Sequence, residues 1–269
     1  MEELRFGIEV EVIADRPIVA QSIGEVVGAD VEKIDDETYR VGTWKVERDE
    51  SIQVPENLQA EVVSPILQMA DMELVKRIAD TLKGCGARVD ESCGIHVHVG
   101  IPREDYHCVR ILARVMKFIE PLFYTHFQVA SKRIPYAEPV SQEFLEKLEE
   151  LTSVGTQEDF VRNLAGIWYP DANVERAKDR WDQTRYRGLN LHSLLYRGTV
   201  EFRYYNSTLE GKLIESYVRA SMSIIELARA LAKPEEKGVK EIESKAGDQH
   251  IQKEMSEKHR ETILSKKHR

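Results

Sequence analysis

Two imidazoles one residue apart, in Cys93-Gly-Ile-His-Val-His-Val-Gly100, mark the stretch of this chain best suited to chemistry. Their neighbours Ile95, Val97 and Val99 are β-branched, so the stretch predicts a strand. Strand alternation then puts His96 and His98 on one face and the apolar side chains on the other. The pattern recurs in Phe6-Gly-Ile-Glu-Val-Glu11, with Glu9 and Glu11, and in Thr199-Val-Glu-Phe-Arg-Tyr204, with Glu201 and Arg203. A fourth alternating stretch, Leu58 to Val63, carries Glu61 opposite Val62 and ends at Ser64-Pro65. Taken singly, such polar positions also read as a solvated sheet face. Together they predict strands of one sheet whose polar faces converge on a metal and nucleotide site.

Several carboxylates facing one cavity raise one another's pKa unless cations compensate them. Hard cations such as Mg²⁺ meet that need, because they take oxygen ligands and leave positions open for phosphate oxygens. Arg203, on the Glu201 face by alternation, supplies a planar fork that matches phosphate geometry. Carboxylates, metals and an arginine clamp are the minimum parts for phosphoryl transfer. No Gly-x-x-x-x-Gly-Lys-Ser/Thr loop and no Gly-x-Gly-x-x-Gly stretch is present, so a nucleotide must be held by the sheet face itself. The turn Arg48-Asp49-Glu50-Ser51 offers acidic residues that serve either as ligands or as turn formers.

The elements that must position these groups follow in order. Helical spacing from Pro17 to Asp30 ends near Gly28, and Tyr39 to Val46 reads as strand. Asp71 to Lys83 predicts an amphipathic helix with Asp71 as N-cap, laid on the apolar face of the sheet. Glu104 to His126 predicts a long helix that Pro121 should kink or end. Residues 131–180 are more polar, with helices near Ser141 to Leu151 and Gln157 to Ala165. They read as an insertion, either a substrate lid or a peripheral helical subdomain. Arg185 to Leu191 and the Glu201 strand predict a hairpin joined by a short link containing Gly198. An amphipathic helix over Glu210 to Ala232 closes the expected single domain, 1–232, before a Lys/Glu-rich tail at 233–269.

At 269 residues and 42% hydrophobic the chain can bury an ordinary core, and the order of elements predicts an α+β fold. The formal net charge of -9 argues against a nucleic-acid partner. No apolar run approaches the roughly 20 residues of a membrane span, and Met1-Glu-Glu-Leu-Arg lacks the form of a signal peptide; a cytoplasmic protein with no membrane partner is expected. Cys85, Cys93 and Cys108 have neither disulfide nor zinc-site spacing and read as small buried residues.

Six ordered stretches carry a resemblance. Phe6-Gly-Ile-Glu-Val-Glu11, Trp44-Lys-Val-Glu-Arg-Asp-Glu-Ser51, Glu61-Val-Val-Ser-Pro-Ile66, Cys93 to Gly100, Arg187-Gly-Leu-Asn190 and Thr199 to Asn206 resemble the motif set of the amidoligase family. That family is similar in fold to glutamate–cysteine ligase and glutamine synthetase. The resemblance runs from about residue 6 to residue 228. It implies a curved, mainly antiparallel sheet with a catalytic concave face and helices on the outer face. It also implies an ATP-dependent carboxylate–amine ligase working through an acyl phosphate, with ATP and Mg²⁺ (or Mn²⁺) as cofactors. Its partners would be a small-molecule carboxylate, amino-acid or peptide-like, and an amine. By the family pattern Glu9, Glu11, Glu61, His98 and Glu201 are metal ligands, with His96 nearby and Asp49 or Glu50 added from the acidic turn. Arg203 contacts the transferred phosphoryl group, and Arg187 and Asn190 contact nucleotide or substrate. Two other classes compete. A metal-dependent hydrolase or cupin-like oxygenase would use His96 and His98, but Glu104 lies too far on, past Pro102, for a cupin pattern, and the chain lacks a regular βα repeat. A catalytically silent nucleotide-binding relative would keep the fold alone. No motif specifies the co-substrates or an oligomeric state.

Overall fold

The computed structural model describes residues 3–102, 107–151 and 156–232. The charged tail read at 233–269 lies outside the described residues, as do positions 104–106 of the helix expected from Glu104. Eight strands form one open antiparallel sheet: β1 Phe6–Ile13, β2 Val31–Lys33, β3 Tyr39–Val41, β4 Trp44–Glu47, β5 Gln59–Val63, β6 Gly94–Gly100, β7 Leu189–Asn190 and β8 Thr199–Asn206. Their order is β2-β3-β4-β5-β1-β6-β8-β7, so the strands bearing the acidic and imidazole pairs lie side by side at the centre. The fold is α+β, as the sequence predicts.

Alternation explains why the sheet has two unlike faces. Ile8 and Val10 of β1, Val62 of β5 and Trp44 of β4 meet Val75, Ile78, Ala79 and Leu82 of α2 (Met72–Gly84), together with Leu209 and Ile214. Ile95, Val97 and Val99 of β6 are wholly buried in the same core. Each such side chain contributes about 1.5–3 kcal/mol of burial, which fixes the register and hence which side chains face the other way.

The remaining helices are α1 Arg16–Val27, α3 Cys108–His126, α4 Gln142–Glu150, α5 Gln157–Trp168, α6 His192–Arg197 and α7, residues 211–232. Several start where the sequence offers a cap: Asp15, Ser141 and Thr156 each accept a backbone N–H of the first turn.

Three local expectations are corrected. Asp71 does not cap α2 with its side chain; it closes a 3-10 turn, Met69–Asp71, by accepting from Gln68 N at 2.8 Å. Helix α3 does not end at Pro121 but continues to His126, the proline falling on an exposed face late in the helix. The link between β7 and β8 is no short turn but helix α6, which ends on left-handed Gly198 (φ 85°). That helix hangs over the polar face of the sheet.

Candidate active site

Cross-strand register assembles the floor of the site. Glu9 stands opposite His96, Glu11 opposite Glu61, and His98 opposite Glu201. Glu9 is the hub: its Oε2 lies 3.1 Å from His96 Nδ1 and its Oε1 3.2 Å from His98 Nε2. His96 also lies 3.4 Å from Glu11, 3.6 Å from Glu201 and 3.9 Å from Glu61. Three trios bring ligand atoms within 4.8 Å of one another: Glu9, Glu61 and His96; Glu9, His98 and Glu201; Glu11, Asp49 and Glu61. The acidic turn is thereby resolved. Asp49, held by a 2.7 Å hydrogen bond from Ser51 N, turns its carboxylate to Glu11 and Glu61. Glu50 stays at the rim, 82% exposed and paired with Arg48.

Glu11, Glu61, His96 and Glu201 are buried, and burial together with neighbouring charge sets the protonation of these four and of Glu9. Burial, then Asp49, pushes the Glu11 carboxyl up to about 8 despite Arg133 nearby. Burial, then Glu9 and Asp49, holds Glu61 well above the carboxylate range. Burial also works against charge on Glu9, but His98 and His96 outweigh it and keep Glu9 well below that range. For Glu201 burial is likewise overcome, by Arg203 and then His98, and its pKa falls to about 2. Burial and the Arg203 charge lower His96 to about 4, so its imidazole is neutral at pH 7. Protons on Glu11 and Glu61 thus relieve the like charge packed into the floor.

Arg203 shares the floor through Glu201, to which its Nη1 donates at 2.5 Å, while its Nε donates to Tyr136 O at 2.9 Å. Asn190 Nδ2 donates to the other Glu201 oxygen at 2.7 Å. A register shift in β6–β8 places Arg203 and Tyr204 together opposite His96, so Tyr205 falls back to the apolar side opposite Ile95. Arg133, from the 3-10 turn Ser131–Tyr136, braces that shift by donating to the carbonyls of Tyr205 and Arg203. Gly94 makes room for it: a Cβ there would sit 2.2 Å from the Arg133 guanidinium. Gly94 N also donates to Glu11 Oε2 at 2.6 Å.

One expected site residue is displaced. Arg187 donates to Pro139 O at 3.1 Å and pairs with Glu138 at 3.3 Å, lining a separate small pocket beside Lys147 and Trp168. An isolated parallel bridge to Glu138 holds its backbone there, and Arg187 does not line the main cavity. Glu9, Glu11, Asp49, Glu61, His96, His98, Asn190, Glu201 and Arg203 are brought together; Arg187 is not.

A cavity of about 510 Å³ opens above the floor, and its walls are largely residues that sequence reasoning passed over. Tyr136, Arg180, Trp181, Arg185 and Tyr186 come from the 131–186 stretch, and His192, Ser193 and Arg197 from α6. Most sit in 3-10 turns or a six-residue helix, where no periodicity exists to flag them. Arg197 reaches Glu9 Oε1 at 3.4 Å, and Arg180 pairs with Glu47 at 2.8 Å.

The donor set fits hard divalent cations: carboxylate oxygens dominate, and neutral imidazoles complete them. His98 supplies the sharpest sign. Its Nδ1 lies 3.1 Å from Thr199 Oγ1 and 3.3 Å from Ser193 Oγ, while its buried Nε2 has no hydrogen-bond partner and faces Glu9 and Glu201. An Nδ1–H given to a hydroxyl leaves a lone pair on Nε2 aimed at the carboxylates, the arrangement found behind metal-binding histidines.

No helix among the described residues is long and apolar enough to cross a membrane. No curated protein matches the chain. The family model described as "Putative amidoligase enzyme" matches residues 2–225, most of the chain and all of the floor.

Proposed function

This chain belongs to the amidoligase family, and we propose that it is an ATP-dependent carboxylate–amine ligase acting through an acyl phosphate. The observation that carries this reading is the convergence of Glu9, His98 and Glu201 on one point beside the Arg203 guanidinium, in a cavity large enough for a nucleotide. Glu9, Glu61, His96, His98 and Glu201 would hold Mg²⁺ or Mn²⁺, with Asp49 and Glu11 beside Glu61. When bound, such ions neutralise the triphosphate and polarise its γ-phosphorus.

The chain's own residues supply the rest. Arg203, fixed by Glu201 and Tyr136 O, presents its remaining N–H groups where the transferred phosphoryl group gathers negative charge. Asn190 holds the second Glu201 oxygen and so fixes the carboxylate plane. The walls from residues 131–197 exclude water from an intermediate that hydrolyses readily. In the first step a carboxylate oxygen attacks the γ-phosphorus, the bond to the bridging oxygen breaks and ADP leaves. In the second an amine attacks the acyl carbon, loses a proton, and phosphate leaves with the amide formed.

Residues 1–232 form one catalytic domain on a sheet like that of glutamine synthetase and glutamate–cysteine ligase, with 131–180 as the wall or lid over its inner face. The co-substrates are a small amino-acid or peptide-like carboxylate and an amine, met in the cytoplasm, with no nucleic acid or membrane involved. The test is Mg²⁺-dependent ADP formation from ATP, an amino-acid carboxylate and an amine, lost in Glu201→Ala and in Arg203→Ala. No turnover across a broad substrate panel, with ATP not bound at all, refutes it.

A further inference from the structure

Five arginines line the cavity, and four of them already face a carboxylate: Arg48 pairs with Glu37, Arg180 with Glu47, Arg197 with Glu9 and Arg203 with Glu201. Arg185 is the exception. No carboxylate pairs with it among the described residues; its one hydrogen bond goes from Nη2 to Tyr186 Oη at 3.0 Å, and its Nε is buried with no hydrogen-bond partner. Two aromatic rings hold the group instead. Its Cζ lies 4.7 Å from the Trp181 ring centroid and 4.9 Å from that of Tyr186.

Stacking of this kind orders a guanidinium and leaves its in-plane N–H groups free, whereas an ion pair would occupy them. A cation held without a counter-charge in a cavity wall has its partner still to come. Tyr186 ties it to the chemistry, because the Arg203 guanidinium lies 5.8 Å from the same ring. The two arginines therefore flank one tyrosine, Arg203 anchored to the metal-binding floor and Arg185 one ring further up the wall.

We propose that Arg185 is a second anion-recognition residue of this site, binding an oxyanion that is not the group transferred at Arg203. The inference rests on the ligase reading only for the identity of that anion, which is either the non-transferred part of the polyphosphate or a second carboxylate on the acid substrate. The pre-ordered fork makes Arg185 a determinant of ligand affinity, with no part in the bond-making step.

The test is isothermal titration calorimetry of the full chain with Mg²⁺, comparing wild type with Arg185→Gln and Arg185→Lys. The probes are ATP, inorganic triphosphate, and the matched pair butyrate and glutarate in the presence of ADP. Loss of one charged hydrogen-bonding fork corresponds to roughly ten- to hundredfold weaker binding. Expected is a loss of that size in Arg185→Gln, partly recovered in Arg185→Lys, with the thermal midpoint unchanged. Loss confined to ATP and triphosphate assigns Arg185 to the polyphosphate. Loss confined to glutarate, with butyrate indifferent, assigns it to a second carboxylate. Equal affinities of wild type and Arg185→Gln for every probe overturn the inference while leaving the ligase reading intact, since wild-type binding of ATP stands. A wild-type protein that binds none of the probes overturns both.

Discussion

His98 Nδ1 lies 3.1 Å from the Thr199 hydroxyl, and this contact selects the imidazole nitrogen that faces Glu9 and Glu201. Ser193 Oγ, 2.9 Å from Thr199 Oγ1, steadies the pair. Thr199→Val removes the nearer acceptor and leaves only Ser193 Oγ, 3.3 Å away, to orient the ring. Mn²⁺ affinity, read by electron paramagnetic resonance, is expected to fall about 10–100-fold. Thr199→Ser should retain it. Unchanged affinity when Thr199→Val is combined with Ser193→Ala would mean that His98 takes no part in holding a cation.

Arg203 and Glu201 form a buried charge pair 2.5 Å apart on the floor of the site. Arg203→Lys keeps a charge but loses the fork, so it is expected to bind ATP and Mg²⁺ yet lower kcat by about 10²–10³. Rapid-quench measurement of ADP formation checks this. A Lys variant with normal kcat would remove Arg203 from the transfer step.

Proton load gives a stability signature. Glu11, at about 8, and Glu61, raised well above the carboxylate range, keep protons in the folded state that they lose in the unfolded one. Folded protein therefore binds more protons above the ordinary carboxylate value, and metal-free stability falls as pH rises toward 8. His96, lowered from 6.5 to about 4, opposes this only below 6.5. Between pH 6.5 and 8 the sign is clear, with a loss on the order of 1 kcal/mol in thermal melts. Mg²⁺ should recover it, more so at pH 8. A melt that is flat with pH and indifferent to Mg²⁺ would contradict the assignment.

The sequence is legible where alternation runs undisturbed. In β1 and β6 the period of two holds from end to end, so Glu9, Glu11, His96 and His98 share a face as expected. In β8 it fails one residue past Arg203, because the extra residue there leaves no mark in the pattern of side chains. Strand β7 is two residues long, too short for alternation to report that Asn190 faces in while Arg187 is drawn off to Glu138. Asp49 and Glu50 differ only in turn geometry, which a hydrogen bond from Ser51 N settles. Arg133 and Arg197 act through tertiary contacts alone, so no local spacing announces them, while Arg185 stacks on Trp181 and Tyr186 in an irregular stretch that carries no period.

Gly94 links the floor to its brace. Gly94→Ala places a methyl 2.2 Å from the Arg133 guanidinium, which is buried and committed to two carbonyls. The variant is expected to lose roughly 1–3 kcal/mol in denaturant unfolding, the range for an overpacked core. Activity should drop further than stability explains, because Arg203 O loses its donor. A fully stable and active Gly94→Ala protein would show that Arg133 does not set the position of Arg203.

Trapping of the activated acid bears most directly on the central claim. The protein is incubated with ATP, Mg²⁺ and a panel of amino-acid carboxylates, with hydroxylamine as the only amine, and acyl hydroxamate is measured beside ADP. The expected result is hydroxamate and ADP in equal amounts for at least one carboxylate, and neither from Arg203→Ala. Hydroxamate accompanied by AMP and pyrophosphate, or none from a protein that binds ATP and Mg²⁺ throughout the panel, would contradict an acyl phosphate formed on this floor.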